Sequence, residues 1–185
     1  MESINQKYFL LINSLANHSH ILDIFIVSLG EFMPYLFIAI EVYLYFFANR
    51  QKESVLAFEA MLIGLGINQI IGLFYFHNRP FMDHLGVLLH KHLPDNSFPS
   101  DHTTFMLSIA FSLLFYVKSR VVGAYLLIFG IIGGFARVYE GVHYPFDIVG
   151  GITTGLIGAI IIYAIKGYLE PLNNATIKMI KGLKK

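Results

Sequence analysis

Six of the eight histidines fall between His77 and His143, and two of these, His102 and His143, stand beside turn residues. Around the first, Phe98-Pro99-Ser100-Asp101-His102-Thr103-Thr104 reads as a turn followed by a helix start, with Ser100 or Asp101 able to cap the free amides. The free N–H groups of a helix start make a ready anion site. Around the second, the run from Arg137 to Asp147 ends one apolar segment and opens the next, and Pro145 suits a first helical turn. His143 and Asp147 are spaced so that a carboxylate can face the imidazole one helical turn away. Asn78-Arg79-Pro80-Phe81 adds an arginine where a further apolar segment stops. Together these supply a nucleophile, a proton donor and fixed positive charge, which is what phosphoryl transfer needs. Singly, each has a plainer explanation: an interfacial arginine snorkels to headgroups, a serine before a helix caps it, and a histidine at a helix end is structural.

These residues must be positioned by elements whose solvent is lipid. Of 185 residues 56% are apolar and 14% charged, and the mean hydropathy is +0.62, outside the balance of a soluble domain. The hydropathy predicts an all-α integral membrane bundle with about five spans, over 21–47, 55–76, 100–117, 121–138 and 146–165. Residues 1–20 lack the basic region and cleavage site of a signal peptide and are expected to form an amphipathic helix at the interface. Arg50 and Lys52, Lys118 and Arg120, and a tail with Lys166, Lys178, Lys181, Lys184 and Lys185 mark cytoplasmic connectors. That orientation puts the N-terminus, the loop 77–99 and the turn 139–145 on the outer face, with the chemistry. The chain reads as one domain, and the glycines of the second, fourth and fifth spans read as helix-packing positions. The absence of cysteine excludes disulfides and thiol chemistry, and the scattered cations make no nucleic-acid surface.

The segments Arg79-Pro80, Pro99-Ser100-Asp101-His102, and Arg137 with His143 and Asp147 resemble, in order, the three signature motifs of the type 2 phosphatidic acid phosphatase (PAP2) superfamily. Within it, the short length and the RPF, PSDHTT and HYPFD sequences are most similar to the BcrC-type undecaprenyl pyrophosphate phosphatases. Two positions depart from the family pattern. Gly72 stands where the first motif has lysine, and Ala136 where the third has serine. His77, Lys91 or Asn68 could replace the missing cationic contact, or Arg79, Arg137 and backbone amides could suffice.

The resemblance implies that His143 attacks phosphorus and becomes a phosphohistidine, that Asp147 fixes its tautomer, and that His102 protonates the leaving oxygen and then activates water. Arg79 and Arg137 would grip phosphate oxygens as planar forks, with Ser100 and the amides after it completing the cradle. No carboxylate cluster suited to magnesium is visible in the sequence, so the expectation is a reaction without metal or cofactor. The implied protein sits in the bacterial cytoplasmic membrane and regenerates the undecaprenyl monophosphate carrier from its diphosphate, a reaction linked to bacitracin resistance. A broader lipid phosphatase acting on phosphatidylglycerol phosphate, phosphatidate or a lipid A phosphate would use the same residues. A transporter would instead align Glu31, Glu41 and Glu59 along a pore, and a non-catalytic lipid binder would not need His143 with Asp147. Glu31, on the outer half of the first span, is expected either to border the substrate cleft, with Asn68 and His77, or to make an interhelical hydrogen bond.

Overall fold

The computed structural model describes residues 2–182; Met1, the start of the expected interfacial helix, and Lys184 and Lys185 of the basic tail lie outside the described residues. Six helices follow one another: α1 (Glu2–Asn13), α2 (His20–Phe46), α3 (Gln51–Phe74), α4 (Asp101–Leu114), α5 (Arg120–Glu140) and α6 (Pro145–Gly182). Four of them, α2, α3, α5 and α6, are long and apolar enough to cross a bilayer. Their outward side chains, among them Ile21, Phe25, Tyr35, Ile70, Leu73 and Phe135, are exposed apolar groups that only lipid solvates favourably.

The expected span over 100–117 is a shorter helix. α4 has 14 residues, about 21 Å of rise, and it is buried by α3, α5 and α6 rather than by lipid. Its polar positions explain why this is tolerated: Thr104 bonds Thr154 at 2.9 Å and the Ser108 hydroxyl donates to the Thr104 carbonyl at 2.7 Å. Because α3 has 24 residues against the 14 of α4, the chain after α3 folds back into the bundle before α4 begins. Asn68, level with Asp101 at the start of α4, lies six residues before the end of α3, so the site at the α4 N-terminus is recessed by about 9 Å below that tip of α3.

Glycine sets how closely the helices meet. A Cβ on Gly158 would lie 2.6 Å from the Ala60 carbonyl oxygen, and one on Gly151 would lie 2.8 Å from the Ser100 carbonyl oxygen. α6 is thus pressed backbone to backbone against α3 and against the start of α4. α6 also continues well past residue 165, through Pro171. Its last turns pack on the start of α3, where Asn173 donates to Glu59 at 3.2 Å and Lys52 pairs with Glu170 at 2.7 Å. At the opposite end α1 lies across α5, α6 and the loop after α3. It buries Phe9, Asn5 and Asn13 and leaves Ile4, Tyr8 and Leu11 exposed. Its inner face is thus partly polar, because it serves as a brace for loop backbone.

Candidate active site

Three loop or helix-end segments converge at the end of the bundle opposite the connectors that carry Arg50, Lys52, Lys118 and Arg120. Ser100 caps α4 as a local rule would have it: its side chain accepts from the Thr103 amide at 3.5 Å and the Thr103 hydroxyl at 3.2 Å. α5 ends at Gly141, whose φ of +92° favours glycine and whose Cα is approached so closely that a Cβ would sit 2.2 Å from the Val87 carbonyl oxygen. The next turn delivers His143, and the Phe146 amide near the start of α6 is met by the Asn5 side chain at 3.0 Å.

His143 is buried between Asp147 and Arg79. Its Nδ1 lies 3.4 Å from Asp147 Oδ2, and its Nε2 lies 3.2 Å from Arg79 Nη1. A guanidinium only donates, so Nε2 carries the lone pair and Nδ1 the proton, the tautomer a nitrogen nucleophile requires. Burial pushes the His143 pKa down to about 4, with Arg79 adding to the effect and Asp147 opposing it, so the ring is neutral at pH 7. Asp147 is itself held by the Ser97 hydroxyl at 2.5 Å, the Tyr144 amide at 2.7 Å and His77 Nδ1 at 3.1 Å.

The two arginines are anchored by acids. Arg79 Nε donates to Asp95 at 2.7 Å and its Nη1 to the Val142 carbonyl at 2.9 Å. Arg137 is fully buried, and its Nη1 is shared by Glu31 and by Glu140 at 2.9 Å. Its Nε and Nη2 have no hydrogen-bond partner among the described residues. Buried donors left in this state are costly, and an incoming anion relieves the cost. His102 lies within electrostatic reach of Arg137, His143 and Glu31. It also lines a cleft of about 280 Å³ with Pro34, Leu65, Gln69, Asp101 and Phe105, between α2, α3 and α4. A larger cavity of about 660 Å³ lies at the opposite end, among Arg50, Lys52, Lys118 and Lys166, and contains none of the motif residues.

A model of the PAP2 superfamily matches residues 53–171. That stretch contains every residue of the three motifs, while Glu31, Pro34, Arg50, Lys52 and the α1 brace lie before it. The chain belongs to the PAP2 superfamily. It is 32% identical over 182 residues to the undecaprenyl-diphosphatase BcrC of Bacillus subtilis, covering 97% of this chain and 93% of that one. Among solved structures it is similar to Aquifex aeolicus LpxE, with a TM-score of 0.74 and 26% identity over 87% of this chain and 95% of that one. The fold is also that of a transmembrane PAP2-type phosphatidylglycerolphosphate phosphatase from Bacillus subtilis, with a TM-score of 0.67 at 17% identity over 91% of this chain and 87% of that one. The chain is thus a multi-pass membrane protein of the PAP2 lipid phosphatase type.

Against the PAP2 motifs the structure places the remaining sequence candidates as follows. Asn68 is buried and donates to Asp101 and Thr104, both at 2.8 Å, so it braces the first turn of α4. His77 stands on the same carboxylate as His143. Lys91 is exposed on the loop after α3. Glu31 makes the interhelical contact, α2 to α5 through Arg137. Gly72, at the PAP2 lysine position, faces Asn96: a Cβ there would lie 3.3 Å from the Asn96 side-chain nitrogen. Asn96 in turn knits the Tyr75 and Phe98 carbonyls and the His77 amide together. Ala136 is buried toward Gly30, where α2 and α5 touch.

Sequence reasoning missed Ser97, Asp95 and Glu140. Glu140 had a local signal, an acid three residues after Arg137 on one helix face. Asp95 and Ser97 had only their place just before the second motif. Glu31, His90 and Glu140 bring ligand atoms within 4.8 Å of one another, a grouping that could hold a divalent ion. Both carboxylates are already engaged by the Arg137 guanidinium, which such an ion would have to oppose.

Proposed function

We propose that this chain is an undecaprenyl-diphosphate phosphatase that releases the terminal phosphate through a phosphohistidine at His143. The observation that carries this reading is the buried Arg137 with two unpartnered nitrogens beside a neutral, correctly tautomerised His143. A phosphoryl group entering there takes hydrogen bonds from Arg137 and displaces Arg79 from Nε2 onto its own oxygens. Nε2 then forms the N–P bond as the bridging P–O bond breaks, Asp147 stabilises the imidazolium that develops, and His102, which takes up a proton from solvent as the polyanionic substrate binds beside it, donates that proton to the leaving lipid monophosphate. In the second half-reaction His102 takes a proton from water, whose oxygen bonds to phosphorus as N–P breaks and inorganic phosphate leaves. Two guanidinium groups supply the charge neutralisation a metal supplies elsewhere.

The basic connectors around Arg50, Lys52, Lys118 and Arg120 lie at the end of the bundle opposite His143, which supports an active site on the outer face of the cytoplasmic membrane. The cleft bordered by Pro34, Leu65 and Phe105 supports lateral entry of the isoprenyl chain between α2 and α3, with His102 at the headgroup level. The test is phosphate release by purified protein from undecaprenyl diphosphate, phosphatidate and phosphatidylglycerol phosphate, beside His143→Ala. The diphosphate is expected to show the highest kcat/KM, and the variant no release. A tenfold preference for either glycerolipid, or turnover by the variant, would overturn the proposal.

A further inference from the structure

The loop that follows α3 carries three consecutive basic residues, His90-Lys91-His92, that the reaction above does not use. Their position is built rather than accidental. Asn13 of α1 donates to the Val87 carbonyl at 2.9 Å and accepts from the Val87 amide at 2.7 Å. Two residues on, the Leu89 amide donates to the Glu140 carbonyl at 3.0 Å, which ties the loop to the end of α5 one residue before the basic triplet.

The two imidazoles then meet the three acid anchors of the arginines. His92 Nδ1 lies 3.9 Å from Asp95, the partner of Arg79. His90 Nδ1 lies 3.9 Å from Glu140 and 4.0 Å from Glu31, the partners of Arg137. His92 is the more enclosed, with a side-chain exposure of 21% against 57% for His90. Its Nδ1 faces the Leu93 carbonyl at 3.1 Å, so that nitrogen carries the proton and Nε2 is left for another partner. Burial first, then Arg79 and Arg137, push its pKa down in the empty site, so a polyanion arriving among these groups reverses the balance and favours the protonated ring. His92 is also within electrostatic reach of His102, the residue on the leaving-group side of phosphorus.

We propose that His92, presented by this tethered loop with His90 and Lys91 beside it, forms a subsite for the second phosphate of a diphosphate ester. This deepens the proposed function and rests on it. An in-line attack by His143 Nε2 leaves the departing oxygen on the face of phosphorus opposite Nε2, where the reaction above puts His102, and a leaving lipid monophosphate carries charge that an alcohol does not. A cation at that position therefore distinguishes a diphosphate from a monophosphate ester of the same chain.

Two measurements on the full-length protein test this. In the first, kcat/KM is compared for an isoprenyl diphosphate and the matching isoprenyl monophosphate. His92→Ala is expected to lower the diphosphate value by roughly 10- to 100-fold, the loss typical of one charge-assisted hydrogen bond, and the monophosphate value by less than about threefold. His92→Gln, which keeps a donor, recovers part of the difference. In the second, methylenediphosphonate and inorganic phosphate compete with hydrolysis of whichever lipid phosphate the wild type turns over. The wild type is expected to be inhibited at least tenfold more tightly by the diphosphonate, and His92→Ala to lose that advantage. Equal losses on both substrates, or an unchanged inhibitor ratio in His92→Ala, would refute the subsite. A wild-type preference that vanishes in EDTA would refute direct contact and assign the effect to a cation at Glu31, His90 and Glu140. Turnover of phosphatidate alone would refute the proposed function while the inhibitor ratio still decides the subsite.

Discussion

Replacing Glu140 by glutamine removes a negative charge while keeping shape and a hydrogen-bond acceptor, and the structure sets both the size and the direction of the effect. Glu140 is fully buried and accepts from the buried Arg137 at 2.9 Å. At that separation and an effective dielectric of about 20, two unit charges attract by roughly 6 kcal/mol, an upper figure here because burial pushes the Glu140 pKa up to about 7 against the pull of Arg137 and leaves the carboxyl partly protonated at neutral pH. Glutamine retains the hydrogen bond, and Glu31 still holds the same nitrogen. The net loss therefore falls below the 3–5 kcal/mol typical of a broken buried pair, at about 2–3 kcal/mol. For a chain of this size that lowers Tm by roughly 4–12 °C. Substrate binding moves the other way. Two carboxylates now compete with phosphate for Arg137, and one of them becomes neutral, so KM is expected to fall by about two- to tenfold. Thermal unfolding in detergent and steady-state phosphate release on the same preparation measure both. A Tm at or above wild type, or a KM that rises tenfold, would show that Glu140 does not act as the anchor of Arg137.

Because His143 is neutral down to about pH 4 in the free protein, acidification from pH 7 to pH 5 leaves the nucleophile of kcat/KM unprotonated. An acid limb near pH 6.5 in the wild-type kcat/KM profile would contradict this. The stability linkage has the matching sign: the folded ring titrates near 4 against 6.5 for an ordinary histidine, so its contribution is fully present above about 6.5 and is lost as pH falls toward 4. His102→Ala is expected to slow a phosphate monoester more than a diphosphate, since an alkoxide needs the proton more than a phosphate does; equal slowing would remove the basis for its role. Gly151→Val inserts a side chain where a Cβ alone would lie 2.8 Å from the Ser100 carbonyl oxygen, and is expected to lower Tm and abolish phosphate release together. Wild-type turnover is expected to persist in EDTA, and restoration by magnesium after its loss would contradict the assignment of charge neutralisation to the arginines.

Much of this protein is written in short-range patterns. Runs of apolar residues set the helices, because lipid leaves a backbone no other way to satisfy its polar groups. The cap at Ser100, the glycine at 141 and the i, i+4 pair of His143 with Asp147 are local geometry as well. Hydropathy covers 100–117 where α4 has helical backbone over 101–114, since it reports apolarity and cannot separate lipid from protein as the surrounding medium. What the tertiary structure decided are contacts between residues far apart in sequence. Glu31 could face a cleft or another helix until α2 met α5 at Gly30 and Arg137. Asn68 and His77, polar groups near the same loop, were sorted to α4 and to Asp147 by where α3 ends. Ser97 reaches Asp147, and Asn13 holds Val87, across separations no spacing rule covers. A charge or hydrogen bond acts through space, so its partner becomes known only once the chain has brought the two together.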